Sequence, residues 1–128
     1  MVESLTEYAV FAVSIEGVIE TWNSGARHVF GYTAREALGR SLEMLFTPED
    51  IAVGLLETEL REARSEKRTY YDRHHLRKDG TIVRTTSSVA PIRDSRGALI
   101  GFAKLVADRS EAYLDREALA RREERFRV

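Results

Sequence analysis

The sequence predicts an α+β fold built on one antiparallel sheet, and three observations lead there. Thr69 to Ala107 is rich in Val, Ile, Thr and Phe and is broken only by turn signals at Asp79-Gly80 and at Asp94-Ser95-Arg96-Gly97. A second strand pair, Ala9–Ser14 and Val18–Trp22, flanks Glu16-Gly17 near the start of the chain. Between the two groups the residues carry helix caps and helical spacing rather than strand alternation. Strands joined by such short turns pair antiparallel, so five strands share one sheet and the helices cover one face.

Taken in order, Glu3 to Tyr8 reads as a short lead-in of about one helical turn. Asn23-Ser24 places a side-chain acceptor where the first unpaired helical N–H groups need one, and Gly31 ends that helix near Phe30. Thr33 with Glu36 three residues on is a capping box for a second short helix, stopped by Gly39. Thr47-Pro48-Glu49-Asp50 is the strongest helix start: a hydroxyl cap, proline at the first position, and acids in the first turn. Ile51, Leu55, Leu56, Leu60 and Ala63 then share one face, predicting a single helix to about Ser65. Three strands follow as a meander over Thr69–Lys78, Thr81–Ile92 and Ala98–Ala107, with Pro91 helping to end the middle one. From Glu111 to Arg127 the chain is strongly charged. Ala112, Leu119 and Phe126 recur seven apart there, a sparse coiled-coil seam on an exit helix.

Composition removes several classes. The 128 residues, 43% of them hydrophobic, suit one domain with a real core. A net charge of −1 gives no basic surface for nucleic acid. The absence of cysteine excludes disulfides and thiolate chemistry. No apolar run approaches the length of a membrane span and no signal peptide is present, so no membrane contact by this segment and a cytoplasmic location are expected.

Several short motifs, each weak alone, together resemble a PAS domain of the kind found in bacterial sensor histidine kinases and related signalling proteins. They are Gly17-Val18-Ile19 with Trp22-Asn23, Phe30-Gly31-Tyr32, Glu36-Ala37-Leu38-Gly39 and Arg77-Lys78-Asp79-Gly80, followed by Pro91-Ile92-Arg93-Asp94, Gly97, Gly101-Phe102-Ala103-Lys104 and Asp108-Arg109-Ser110-Glu111. The likeness covers roughly Leu5 to Glu111. It implies a sheet ordered 2-1-5-4-3, a sensory domain over 1–110, and a signalling helix over 111–128 leading to a further domain. Two departures stand out. Val13-Ser14 lies where the family often has an acid, and the closing motif is Asp-Arg-Ser where Asp-x-Thr is usual. The resemblance gives Asp108 and Ser110 a role in signal relay; a plain helix cap accounts for them equally. Arg122 to Arg127 looks like the lead-in to another such domain.

The same alignment suggests a ligand pocket. His75, Thr85 and Ser87 fall on the helix side of the sheet, and residues two apart bring Val83 and Val89 with them. On the last strand Phe102, Lys104 and Val106 point inward, and Ala103, Leu105 and Ala107 outward. Phe11, Val13, Phe30, Leu42, Phe46, Ile51 and Leu55 complete an apolar wall, for which core filling is a sufficient explanation. An inward Lys104 must find an acid, meet an anionic ligand or snorkel to water, and snorkelling is the ordinary outcome.

No metal site is expected, because His74 and His75 are strand neighbours on opposite faces and His28 stands apart. Haem-binding relatives often carry the iron ligand on the long helix, which has no histidine here, and cysteinyl flavin chemistry lacks its thiol. No cofactor is therefore expected; a small molecule or non-covalent flavin stays open. Catalytic residues are not found either: Ser87 and Ser88 have no base-and-orienter set, the acids read as solvated, and Gly97 and Gly101 form no phosphate loop. The reading is a non-catalytic sensory and dimerisation module, expected to form a homodimer and to relay a ligand or partner signal to an effector in cis, a histidine kinase or other output domain of the parent protein. The alternatives are a purely structural dimerisation domain and a small ligand-binding enzyme.

Overall fold

The computed structural model describes residues 8–65 and 68–110. Its frame is the meander. β2 (Thr69–Leu76) turns at Asp79-Gly80 into β3 (Ile82–Arg93), which turns through Asp94–Gly97 into β4 (Leu99–Asp108). β1 (Tyr8–Val13) pairs with the far side of β4, giving the antiparallel order β1-β4-β3-β2. That is the expected arrangement without the strand predicted over Val18–Trp22. Val18 and Ile19 make only isolated bridges, to Ser41 and Val13 respectively. Side chains add to the few backbone bonds that remain there, such as Glu20 N–H to Ala12 O at 2.8 Å. Thr21 Oγ1 accepts the Ala12 N–H at 2.8 Å, and Asn23 Oδ1 accepts the Val10 N–H at 3.0 Å.

Asn23 serves twice, because the same Oδ1 also caps α1 (Ser24–Phe30) through the Ala26 N–H. Gly31 closes that helix at φ 86°, which an L side chain rarely adopts. The Thr33/Glu36 capping box is formed on α2 (Ala34–Ala37), and a 3-10 turn over Leu42–Leu45 follows, capped by Ser41. Thr47 and Pro48 start a helix as expected, but it stops early. Gly54 at φ 70° separates α3 (Pro48–Ala52) from α4 (Leu55–Ser65). The break resets the helical phase, so Ile51 is left 38% exposed and outside the apolar wall, while Leu56 and Ala63 are buried. Pro91 lies inside β3 rather than ending it. β2 reaches only as far as Val89, so Pro91 has strand pairing on the β4 side alone, where its missing N–H is tolerated.

The core fills the space between the sheet and the helices. Phe11, Val13, Ile19, Val29, Phe30, Leu42, Leu45, Phe46, Val83, Val89, Phe102 and Val106 are buried, with Leu55 partly buried against them. Trp22 packs 5.0 Å from Phe11 and 5.8 Å from Phe30, donating its indole N–H to Tyr32 O at 2.8 Å. No helix among the described residues is long and apolar enough to cross a membrane. The predicted lead-in before Tyr8 and the exit helix from Glu111 lie outside the described residues.

Candidate functional site

The strand alternation puts an unusually polar set on the inner face of the sheet. His75, Thr85, Ser87 and Lys104 are all buried there, beside Val83, Val89, Phe102 and Val106. Each was expected inward. Of the candidate wall, Phe11, Val13, Phe30, Leu42 and Phe46 join them and Ile51 does not.

His75 is held as a neutral ring by its partners. Its Nδ1 lies 2.8 Å from Leu45 O, and a carbonyl only accepts, so Nδ1 carries the proton. Nε2 is then the acceptor for the Ser87 hydroxyl at 3.3 Å. Phe30 and Phe46 pack in T-shaped contact with the imidazole, at 5.7 and 5.1 Å between centroids. Burial, with the Lys104 charge second, keeps the pKa well below the usual histidine value. Thr85 spends its hydroxyl on the Arg73 carbonyl at 2.7 Å.

Lys104 does not snorkel. It is 1% exposed, and its ammonium meets Glu59 Oε1 at 3.3 Å and the Phe46 ring at 4.7 Å from the centroid. The other Glu59 oxygen takes Arg73 Nε at 2.8 Å, so one carboxylate joins α4 to both β2 and β4. Burial lowers the Lys104 pKa, and Glu59 opposes that shift. The sequence reading missed Glu59 and Arg73. Among the acids of α4, Glu59 had looked solvated. Its signal was its spacing: it stands three residues after Leu56 and four before Ala63, on the apolar stripe itself. An inward lysine with no assigned acid was the other half of that signal.

At the end of β4 the chain leaves the sheet through Asp108. Its Oδ1 accepts the Ser110 N–H at 2.9 Å, and Oδ2 faces Arg77 Nη2 at 3.5 Å. Arg77 also donates Nε–H to Val29 O at 3.1 Å, tying the end of α1 to this junction. Beside it lies an open cleft of about 390 Å³ lined by His28, Phe30, Gly31, Arg77, Lys78 and Asp79. His28 and His74 are exposed and far from His75 in role, and no group of three or more metal-ligating side chains occurs among the described residues.

A sheet in this order with helices over one face defines the PAS class of domain, and comparison with known proteins agrees. A family model described as the PAS fold matches residues 3–114, so the chain belongs to the PAS family. It is 32% identical over 115 residues to "Two-component system protein A" of Emericella nidulans, covering 87% of this chain. The chain spans only 16% of that relative's length. Among solved structures it resembles the PAS domain of a protein from Colwellia psychrerythraea, with a TM-score of 0.74 and 22% identity over 83% of this chain and 92% of that one. That structural likeness bears on the fold.

Proposed function

We propose that this domain is a non-catalytic sensory and dimerisation module of a multi-domain signal-transduction protein of the two-component class, with a sensor histidine kinase as the parent. The observation that carries the reading is the placement of two features on one strand. Lys104, paired inside the core with Glu59 of α4, stands four residues before Asp108, which holds the exit from the sheet. A change in the core at Lys104 therefore reaches the junction along a hydrogen-bonded strand. The name of the 32% identical relative supports the two-component assignment. The role of Asp108 and Ser110 in relay, and the ligand pocket around His75, Ser87 and Lys104, belong to the same proposal.

Self-association is part of it. Across the outer face the register aligns Val10 with Leu105, and Leu105 with Ser88, while Ala12, Ala103 and Ala90 form a neighbouring row. Val10 and Leu105 are exposed there, and a second copy would bury them.

The test compares signal-dependent autophosphorylation of the full-length kinase with that of Asp108→Ala, alongside thermal melts. Loss of regulation in a folded variant supports relay; intact regulation reduces Asp108 to a cap. Light scattering on wild type and Leu105→Asp tests the dimer: the wild type should be dimeric and the variant monomeric.

A further inference from the structure

A run of apolar side chains stands in water where α3 breaks from α4. Val53 is 74% exposed and Ile51 38%, with Ala52 exposed between them. Gly54, at φ 70°, resets the helical phase just after this tip, so α4 does not carry it into the core. Carboxylates flank the tip. Glu49 and Asp50 lie in the first turn of α3, and Glu57 Oε2 lies 3.6 Å from where a Cβ on Gly54 would stand. None of the three has an ion-pair partner among the described residues. Arg61, one turn after Glu57, donates to Thr58 Oγ1 at 3.3 Å instead. Single apolar residues scattered over a surface are ordinary, but consecutive ones set among unmatched acids suit a partner that is both apolar and basic.

The chain itself carries such a stretch. Residues 119–128 hold Arg121, Arg122, Arg125 and Arg127 against Glu123 and Glu124, with Leu119, Phe126 and Val128 as the large apolar side chains. The register of the sheet brings the two within reach. Phe46 bridges to His75, His75 pairs with Val83, and Thr85, two residues on, pairs with Asp108. Phe46 and the exit from β4 therefore lie at the same end of the sheet, about 15 Å apart at the usual spacing between strands. Ile51 follows Phe46 through Thr47 and the first turn of α3. Residues 111–118 cover about 12 Å as helix and about 26 Å extended.

We propose that the tip at Ile51–Val53 is the docking surface for residues 119–128 of the same chain. Val53 and Ile51 meet Leu119 and Phe126, and Glu49, Asp50 and Glu57 meet the arginines. A tail held there cannot also pair with a second copy through the seam at Leu119 and Phe126, so docking and coiled-coil pairing exclude one another. The contact does not depend on the sensory reading above and would survive its failure.

The test is timed trypsin digestion of the 128-residue chain, with cleavage after Arg121, Arg122 and Arg125 followed by mass spectrometry. Docked arginines are poor substrates. The wild type should be cut there about tenfold more slowly than Val53→Lys, which removes an apolar contact and repels the tail. Ile100→Lys, a change at an exposed residue near the other end of β4, should be cut like the wild type. Concentrated salt should narrow the gap between the wild type and Val53→Lys, because the charges involved are exposed. Thermal melts check that each variant is folded; if Val53→Lys is not, Leu119→Ser removes the same contact from the tail and should be cut as fast. Equal rates in the wild type and a folded Val53→Lys overturn the inference. Protection that disappears on dilution also overturns it, by assigning the contact to a neighbouring molecule.

Discussion

Arg77 and Asp108 face one another across the sheet, Nη2 to Oδ2, at the point where β4 gives way to the chain leaving the domain. The contact is long, 3.5 Å, and its side chains are 31% and 29% exposed, so screening leaves it little energy of its own. The stronger bond at Asp108 is the one to the Ser110 N–H at 2.9 Å. Asp108→Ala should therefore cost about 1 kcal/mol, the usual value of a lost helix-cap acceptor. In a double-mutant cycle with Arg77→Met, the coupling should fall within roughly 0.2–1 kcal/mol. Urea melts of the four proteins measure both, and a coupling well above that range would make the ion pair the main restraint.

The Glu59 cluster should respond unequally to the loss of its members. Glu59→Ala strands Lys104 and Arg73 together, and removing one partner of a buried pair typically costs about 3–5 kcal/mol. Lys104→Met leaves a one-to-one pair of Glu59 and Arg73 and puts an apolar chain against Phe46, so its cost should be clearly smaller. Denaturant midpoints give the ranking, and equal losses would contradict it.

That asymmetry also marks the limit of what could be read in the residues. The family resemblance set which face of the meander is inward, and alternation then carried His75, Ser87 and Lys104 onto it, because a strand offers only two faces and the turns at Asp79-Gly80 and Asp94–Gly97 fix the register. The caps at Asn23, Thr33 and Thr47 were legible for a similar reason: each acts within three residues. Glu59 was not, since its burial depends on a lysine 45 residues away. Gly54 was overlooked as a break, and Ile51 was misassigned with it. The pattern of Val18–Trp22 is strand-like, but Thr21 and Asn23 bond to β1 through side chains, an outcome alternation does not announce.

Acid should weaken the domain in two separate stages. The His75 pKa in the fold lies well below 6.5, so the unfolded chain takes up that proton first. The stability due to neutral His75 is complete above about pH 6.5 and is lost as pH falls below it toward the folded value. Glu36, paired with Lys78 and bonded to the Thr33 N–H, is lowered from 4.5 to about 2, so its contribution is lost between those values. Urea midpoints measured down from pH 7.5 should show both falls. In His75→Asn, whose amide can still donate to Leu45 O, the upper one should vanish and the lower one remain.

Two glycines should tolerate alanine very differently. A Cβ on Gly101 would stand 2.4 Å from Val13 O, a backbone atom fixed in the sheet, so Gly101→Ala must spread β1 from β4. Overpacking of this kind costs about 1–3 kcal/mol or more. Gly97 has open space around it but a φ of +85°, and Gly97→Ala should lose only the roughly 1–2 kcal/mol of a left-handed L residue. Thermal melts that place Gly97→Ala below Gly101→Ala would reverse the argument.

The side-chain bonds along β1 have a consequence for how the molecule meets others of its kind. An uncovered strand edge is a template on which foreign chains can polymerise. Here Ala12 N–H is claimed by Thr21 and Val10 N–H by Asn23, while the Asn23 amide reaches Tyr8 O and the Glu20 N–H reaches Ala12 O. That border is closed to strand addition without a further strand having to be built. Any lengthening of the sheet, whether by misassembly or by a designed fusion, is left to the opposite border at β2, where Asp72 and His74 are exposed and His75 already bridges to Phe46.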